Sequence, residues 1–303
     1  MNVARAGVLR ELAERGSVTA VARALHLTPS AVSQQLKTLE REAGTALTER
    51  SGRALVLTPA GRVLADAARE VAVALERAEA AWADYVEQPR GVVTLSVFET
   101  GGQMLLPGLL RRMDGVPGLR IEVSDRAPYS ADPGDLTADH DVVLGDGAGV
   151  LPGWRERGLE LVELLREPLD VAMPEGHPLA RRRELAPADV IGERWICTPR
   201  DLPYDRILQR IEAITGRDAT VEQRLLDNGI VEALVAAGRG IAILPRFTTR
   251  DHGNGLVTRP LTGMRAERTL WAMCRPEVAV RPSVRLVLEA LRAEAEDFVA
   301  ARA

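Results

Sequence analysis

The chain of 303 residues is 46% hydrophobic and 27% charged, which suits two or more globular domains and excludes a wholly disordered or collagen-like protein. Its formal net charge of −4 is unevenly distributed, because residues 1–65 hold nine basic and five acidic side chains and therefore carry +4. This basic N-terminal segment, called here the head, precedes an acidic remainder of the chain. The charge distribution favours an anionic partner, such as nucleic acid, for the head alone.

Targeting and metal-binding signals are missing from the sequence pattern. The N-terminal stretch MNVARAGVLRELAERG lacks the apolar core of a signal peptide, and no run approaches the roughly 18 apolar residues of a membrane span. We therefore expect a cytoplasmic protein with no membrane partner. Cys197 and Cys274 are too few for a disulfide framework, and the four histidines show no ligand spacing, so we expect no metal and no cofactor.

Three short helices are predicted at the N-terminus. The first ends at Gly16, Ser17 has the chemistry of an N-cap for the second, and Pro29 suits the first turn of the third, which ends at Gly44. Two short helices with a tight turn between them, over about residues 18–37, predict a helix-turn-helix. The third helix has an apolar stripe and an opposite polar side, formed by Ser30, Ser33, Gln34 and Lys37.

A hairpin and a long helix follow. The segment TALTERSGRALVLTPAG has two short runs rich in Leu, Val and Thr around Gly52, which predicts a β-hairpin whose turn is flanked by Arg50 and Arg53. Residues 59–88 are alanine-rich without Gly or Pro after Gly61, which predicts a helix of about seven turns. Such a helix cannot cover its own apolar stripe, so we expect it to pack on the same helix of a second chain.

Strand and helix signals alternate over the rest of the chain, which predicts parallel sheets covered by helices. The pattern restarts near Leu164, where PLDVAMP is the first strand of a second unit, and a last helix runs from Pro282 to about Ala300. We interpret this as two α/β lobes, each completed by a segment from elsewhere in the chain. Lobe I is assigned to residues 91–165 and 270–303, and lobe II to residues 166–269.

Several phrases occur in a fixed order along the sequence. GSVTAVARALHLTPSAVSQQLKTLEREAG and LTERSGRALVLTPAG lie in the head, and they are followed by GVVTLSVF, REPLDVAMPEGHPLA and VEALVAAGRGIAILPR. Together they resemble the LysR family of transcriptional regulators over nearly the whole chain. Pro29 stands where many members have glutamine, and Thr48 replaces a frequent phenylalanine of the wing.

The resemblance implies an α/β protein with a winged helix-turn-helix head (1–58), a long linker and dimerisation helix (59–90), and a two-lobed effector-binding domain like a periplasmic binding protein (91–303). It implies a sequence-specific, nucleoid-associated transcriptional regulator that a small-molecule effector modulates from between the lobes. It also implies assembly of four subunits, whereas the residues themselves support only pairing, so homodimer and homotetramer both stay open. Paired chains would bind a dyad-symmetric site in double-stranded DNA, with half-sites about one helical turn apart.

The polar side of the third helix and the hairpin tip supply the candidates for DNA contact. Hydroxyl and amide groups suit base edges in the major groove, and Gln34 can contact adenine through two hydrogen bonds. Cations suit phosphates or a narrow minor groove. The alternative for each residue is a solvated surface position, which we assign to Arg10, Arg15 and Arg41. The candidates are Thr28, Pro29, Ser30, Ser33, Gln34, Lys37, Arg50 and Arg53.

The carboxyl ends of the strands supply the candidates for effector contact, because helix N-termini present free N–H groups there. Thr100 and Thr198 could donate to an effector, and the alternative for both is simple N-capping. Arg200 could pair a carboxylate, while Glu99 and Asp146 disfavour a simple anion, so we expect a zwitterion or a metabolite of mixed polarity. The candidates are Glu99, Thr100, Gly101, Asp146, Thr198, Arg200 and Asn228.

Three other functions compete with this interpretation. A two-lobed α/β enzyme would need catalytic motifs, yet no phosphate-binding glycine loop, nucleophile elbow or zinc spacing occurs in the sequence. A solute-binding protein of a transporter would need export and would not need the first 90 residues. A thiol sensor is conceivable because Cys197 borders the predicted cleft, although no resolving cysteine is visible nearby.

Overall fold

The computed structural model describes residues 2–51, 54–85, 90–125, 132–147, 152–249, 253 and 255–302. Its N-terminal head contains three helices and an antiparallel two-stranded sheet, and the long helix follows directly. These elements are α1 (Val3–Arg15), α2 (Val18–Ala24), α3 (Pro29–Ala43), β1 (Thr48–Ser51), β2 (Ala54–Leu57) and α4 (Pro59–Tyr85). The predicted helix-turn-helix, hairpin and long helix are all present, and residues 86–88 of the predicted helix lie outside the described residues.

Local chemistry sets the limits of the head helices. The Ser17 hydroxyl accepts a hydrogen bond from the Ala20 N–H at 3.0 Å, and Pro29 occupies the first turn of α3, as predicted. Both α1 and α3 end at glycines in the left-handed conformation, Gly16 at φ 66° and Gly44 at φ 71°, where a side chain would be strained. The apolar faces of these helices meet in one core, formed by Val8, Leu9, Leu12, Val21, Ala22, Val32, Leu36, Leu39, Leu47 and Ala65.

The helix α4 leaves the head as a rod of 27 residues, about 40 Å at the usual rise per residue. Its first turns complete the head core through Ala65. Beyond them, one side of the helix is apolar and exposed, including Val71 at 45%, Leu75 at 57% and Trp82 at 67%. Within the part of the chain that the structure describes, no helix is long and apolar enough to cross a membrane.

The C-terminal part is built on a seven-stranded mixed sheet. Its strands are β3 (Gly91–Ser96), β4 (Leu119–Ser124), β5 (Val142–Gly147), β6 (Glu160–Pro174), β9 (Ala242–Pro245), β10 (Leu256–Arg259) and β11 (Glu267–Cys274). They follow the order β10-β6-β11-β5-β3-β4, and β9 also pairs with β6. A separate parallel pair contains β7 (Arg194–Cys197) and β8 (Thr220–Arg224).

Helices cover both parts of this sheet. The longer ones are α5 (Glu99–Met113), α9 (Pro203–Thr215), α10 (Asn228–Ala236) and α12 (Pro282–Ala300). The shorter ones are α6 (Pro133–Leu136), α7 (Pro152–Glu156), α8 (Pro187–Val190) and α11 (Pro276–Ala279), with a 3-10 turn at Pro178–Arg181. One apolar core joins α5 and α12 to β3 and β5, and a second joins α9 to β7, β9 and the end of β6.

A single long strand connects the two cores, which corrects the restart of the pattern expected near Leu164. The strand β6 runs unbroken from Glu160 to Pro174; its first half pairs with β11, and its second half pairs with β9 and β10. Glu163 and Arg166 are charged residues within the apolar pattern, but the strand continues through both. Their side chains pair with each other at 2.7 Å at the surface. The two lobes therefore share β6 as a crossing strand.

Candidate DNA-binding surface and inter-lobe cleft

The outward side of α3 carries most of the predicted DNA-contacting residues. Gln34 and Lys37 are exposed, whereas Val32 and Leu36 on the opposite side lie in the core. The predicted residues at the start of the helix, from 28 to 30, are exposed, and Ser33 is half-buried. Polar groups and one cation therefore project together from an exposed helix, which is the arrangement that entry into a major groove requires.

Two of the predicted residues also stabilise the helix locally. The Thr28 hydroxyl accepts a hydrogen bond from the Ala31 N–H at 3.1 Å and lies 2.9 Å from the Ser30 hydroxyl. The Ser33 hydroxyl donates to the Pro29 carbonyl at 2.9 Å. A hydroxyl that donates once still has acceptor capacity, so these contacts leave groups available to DNA.

The hairpin is held against α3 by a side chain that the sequence analysis did not single out. Glu40 Oε1 accepts hydrogen bonds from the N–H groups of Leu47 and Thr48, at 3.0 and 2.9 Å, and from the Thr48 hydroxyl at 2.9 Å. These bonds fix the start of β1, whose exposed Arg50 lies near the hairpin tip. Arg53, the other predicted cation of the tip, lies outside the described residues.

A buried arginine at the start of β11 contacts residues of both lobes. Arg268 is 1% exposed and donates to Glu167 Oε2 on β6, at 2.8 Å from Nε and 2.5 Å from Nη2. It also donates to the hydroxyl of Thr100 at 2.7 Å, to Asp146 Oδ2 at 3.0 Å and to the hydroxyl of Tyr204 at 3.1 Å. Thr100 thus binds an internal cation, and the cation of this site is Arg268 where the sequence suggested Arg200.

The surrounding groups stabilise the charged form of this arginine. Burial opposes the charge, but Tyr204, Glu167 and Asp146 together raise the pKa of Arg268 above its ordinary value. Burial also raises the pKa of the Tyr204 phenol to about 12. A phenol that stays protonated accepts a hydrogen bond from the guanidinium and keeps the tyrosine uncharged.

The remaining candidates of lobe I and α10 lie around this arginine in different roles. Asn228, the first residue of α10, is close enough to Tyr204 to oppose part of the rise in the pKa of its phenol. Glu99 is exposed and accepts from the Gln103 amide at 3.2 Å. A Cβ on Gly101 would lie 2.7 Å from the ring of Phe98, so a glycine there lets the first turn of α5 pack on that ring.

Thr198 and Arg200 belong to a different arrangement. The Thr198 hydroxyl accepts from the N–H of Asp205 at 3.2 Å, which fits the predicted capping alternative at the start of α9. Arg200 is exposed and lines a cavity of about 410 Å³ beside α9, together with Asp205, Leu208, Gln209, Glu212, Asp218, Ala219, Val221 and Arg224. Arg268, Thr100 and Asp146 do not line this cavity. The sequence predicted that Thr100, Thr198 and Arg200 would lie together, and these contacts do not bring the three residues together.

Comparison with known proteins agrees with this architecture. Residues 5–62 match the family model described as "Bacterial regulatory helix-turn-helix protein, lysR family", and residues 87–296 match the model described as "LysR substrate binding domain". The chain belongs to the LysR family. It is therefore a DNA-binding transcriptional regulator with an effector-binding domain, and it is not an enzyme.

Individual relatives of this LysR-family chain are distant in sequence. It is 27% identical to the DNA-binding transcriptional dual regulator OxyR of Escherichia coli, over 97% of this chain and 95% of that protein. It is 26% identical to the regulator CysL of Bacillus subtilis, over 78% of each. A solved full-length OxyR variant from Pseudomonas aeruginosa superposes with a TM-score of 0.64 at 18% identity, covering 96% of this chain and 98% of that one.

A second solved structure extends the likeness of fold. CbnR in complex with its target DNA superposes on this chain with a TM-score of 0.54 at 20% identity, covering 97% of this chain and all of that one. Each of the two likenesses covers at least 96% of this chain. The LysR fold therefore extends over almost the entire chain.

The two cysteines of this LysR-family chain are buried thiols. Burial and the neighbouring Asp205 raise the pKa of Cys197 to about 11. Burial, followed by Glu160 and other acidic neighbours, raises the pKa of Cys274 to about 12. Both sulfurs are therefore protonated at neutral pH, and the protonated form is the unreactive one.

Contacts between the head and lobe I were missed by the sequence analysis. Arg10 and Arg15, which we assigned to solvated surface, have side chains only 18% and 13% exposed, and both pair with Glu11. Arg10 Nη1 also lies 3.7 Å from Glu277 on α11. The assignment was wrong for these two arginines because a helical period predicts which side of α1 faces its own core, but not what packs on its other side.

Proposed function

We propose that this LysR-family regulator binds a dyad-symmetric promoter site as a homodimer or homotetramer and that a small molecule in the inter-lobe cleft changes promoter output. The observation that carries the DNA half is the outward side of α3, where Gln34 and Lys37 are exposed above a helix anchored by Val32, Leu36 and Leu39. A DNA-binding regulator acts where the DNA is, so we place it in the cytoplasm, associated with the nucleoid.

Each candidate residue of the head has a definite role in this proposal. Gln34, Ser30 and Ser33 contact base edges directly or through water, and Pro29 starts the helix beside the DNA. Thr28 and Lys37 contact phosphates, which position the helix in the groove. The two hairpin arginines, Arg50 and Arg53, reach the backbone or the adjacent minor groove.

The domain division supports pairing through the long helix. We assign residues 1–58 to the DNA-binding head, 59–90 to the dimerisation helix and 91–303 to the effector-binding domain. The exposed apolar side of α4 supports this assignment, since it has the composition of a helix–helix interface. Two chains joined there would present their α3 helices to one face of the DNA, about one helical turn apart.

We place the effector beside Thr100 and Asp146 in the cleft, because these residues approach one another from α5 and β5 at the network that joins both lobes. Glu99, Gly101 and Asn228 border that position. Thr198 and Arg200 act at most indirectly, through the start of α9. An effector that contacts both lobes would favour one separation of the lobes, and only such differential binding shifts a conformational equilibrium.

The decisive experiment selects bound fragments from a genomic library and then compares variants on the selected sequence. We expect Ser33→Ala/Gln34→Ala to reduce discrimination between that site and scrambled DNA by roughly 5- to 150-fold, the value of one bidentate base contact. Gln223→Ala, an exposed glutamine on β8, is the matched control and should leave discrimination unchanged. Equal discrimination by both variants would contradict the assignment of α3.

A second measurement separates base contact from phosphate contact. Lys37→Ala should weaken binding to specific and scrambled DNA alike, and should reduce the slope of log affinity against log salt by about 0.9. A loss confined to the specific sequence would move Lys37 from the phosphates to the bases.

A further inference from the structure

Every donor of the Arg268 guanidinium is already used within the chain. A guanidinium has five N–H donors in a fixed fork, one on Nε and two on each Nη. Nε and one Nη2–H donate to Glu167, the other Nη2–H to Thr100, and the two Nη1–H groups to Asp146 and Tyr204. The five bonds match the five donors, so the arginine offers none to a ligand that enters the cleft.

Two aromatic rings also lie close to the guanidinium. Its central carbon lies 5.4 Å from the centroid of the Phe98 ring and 5.8 Å from that of Tyr204. Aromatic rings at such distances attract a cation through their electron-rich faces. Phe98, Thr100, Asp146, Glu167 and Tyr204 thus form a cage, called here the guanidinium cage, that accepts hydrogen bonds along the edge of one planar cation and places two aromatic rings beside it.

Charge makes the guanidinium cage selective. Asp146 and Glu167 have side chains 5% and 0% exposed, and Arg268 is the cation that both of them bind. A small carboxylate entering beside Thr100 would meet two buried carboxylates and an arginine without a free donor. A guanidinium or a similar planar cation is instead the group for which the cage is complementary.

We propose that Arg268 is an internal ligand of the sensing cleft: its guanidinium fills a cation site between the lobes, bridges them without any effector, and excludes small anions from the position beside Thr100. This rests on the proposed function, since it specifies what the effector cleft accepts. Phe98, Thr100 and Asp146 come from lobe I, Tyr204 from lobe II and Glu167 from the crossing strand β6. The side chain of Arg268 therefore holds both lobes at one separation.

Chemical rescue of the full-length chain tests the proposal. Arg268→Ala empties the guanidinium cage and leaves two buried carboxylates unpaired, so its Tm should fall by roughly 10 °C. Methylguanidinium chloride at about 10 mM should restore at least about 3 °C of that fall, relative to the same concentration of sodium chloride, because a ligand that binds only the folded chain stabilises it.

The matched control removes an arginine that is paired elsewhere. Arg246 forms two 2.7 Å hydrogen bonds with Asp170, but its side chain is 40% exposed and lies outside the guanidinium cage. Methylguanidinium should leave the Tm of Arg246→Ala and of the wild-type chain unchanged. Equal rescue of Arg268→Ala and Arg246→Ala, or rescue of neither, would overturn the proposal.

A second experiment uses the wild-type chain and remains valid even if Arg268→Ala does not fold. Acetate, succinate and glutamate should not raise the wild-type Tm, since the cage has no donor for them. A rise above about 2 °C that disappears in Arg268→Lys would identify Arg268 as a free anion receptor and overturn the proposal. Binding of the selected DNA site, measured on the same samples, tests the proposed function separately, because neither Tm readout depends on DNA.

Discussion

Arg15, in the last turn of α1, donates to Asp139 of lobe I at 2.7 Å, although 124 residues separate the two in the chain. The same guanidinium donates to Glu11 at 2.8 Å and to the carbonyl of Ala138 at 2.5 Å. Glu11 is 6% exposed and also accepts from Arg10 at 3.0 Å. An ion network therefore joins the DNA-binding head to the lobe that contains Thr100 and Asp146.

The first prediction concerns the centre of this network. Glu11 lies among Arg10, Arg15 and Arg275, so Glu11→Gln keeps the shape of the side chain but leaves three cations facing a neutral group. We expect the free energy of unfolding to fall by about 3 kcal/mol, the usual scale for removing one partner of a buried ion pair. Amide hydrogen exchange should also become faster in α11, which lies across this interface.

The control for Glu11→Gln is Glu42→Gln. Glu42 is more exposed and pairs with Arg5 inside the head, where solvent screens the interaction, so its loss should cost less than about 1 kcal/mol. Equal costs for the two variants would show that the network between head and lobe contributes no more than a surface ion pair.

The second prediction concerns pH. Burial tends to raise the pKa of Glu11, but hydrogen bonds from Arg15 and Arg10 and the charge of Arg275 outweigh it, so its folded pKa lies below the ordinary 4.5. A carboxyl with a depressed folded pKa stabilises the folded state above its unfolded pKa and loses that contribution as pH falls through the folded value. The difference in the free energy of unfolding between wild type and Glu11→Gln should therefore be constant from pH 7 to 5 and shrink below pH 4.5. Glu277 is a second carboxyl nearby, but it is present in both chains. A difference that stays constant down to pH 3 would contradict this.

The third prediction concerns pairing through α4. Leu75→Glu puts a charge into the exposed apolar stripe, at a cost of several kcal/mol if that stripe is buried in a dimer. Ala81→Glu introduces the same group at an exposed position about 120° around the helix from Leu75 and should leave assembly unchanged. Sedimentation velocity at low micromolar concentration distinguishes the two, and a Leu75→Glu chain that stays dimeric would exclude α4 as the main interface.

The fourth prediction concerns thiol chemistry. A thiol with a pKa of about 11 or 12 has so little thiolate at pH 7.5 that Cys197 and Cys274 should react with hydrogen peroxide at least about 100-fold more slowly than an exposed cysteine. We expect peroxide to leave DNA binding unchanged, and Cys197→Ser to behave like the wild type. A peroxide response lost in Cys197→Ser would instead connect this chain to the activity that the name "Hydrogen peroxide-inducible genes activator" gives its relative.

The exposed polar side of α3 could be predicted because its information is local. Gln34 and Lys37 fall opposite Val32 and Leu36 at the helical period, and a helix anchored by its apolar side must expose the other. Boundaries marked by Ser17, Pro29 and Gly44 were likewise predicted from single-residue chemistry.

The cleft could be predicted only in part, because its network is not local. Arg268 meets Glu167 across 101 positions and Thr100 across 168 positions, so no periodicity connects them. The rule that ligands bind at strand ends found Thr100 and Asp146, but it also selected Arg200. Arg268 lies near the start of an antiparallel strand, β11, which the rule does not consider.

The last prediction tests the bond that joins Thr100 to this network. Thr100 is 4% exposed, so Thr100→Val keeps the packing but removes the acceptor of one Arg268 N–H in a buried setting. An unsatisfied buried donor costs about 1–3 kcal/mol, and more when the donor is charged, so we expect a loss of that size in denaturant unfolding. Thr100→Ser retains the hydroxyl and should recover most of it. Arg200→Ala, at an exposed position before α9, should change stability by less than about 0.5 kcal/mol. If valine and serine are equally costly, the methyl group of Thr100 contributes more than its hydroxyl, and the hydrogen bond to Arg268 does not help to hold lobe I in place.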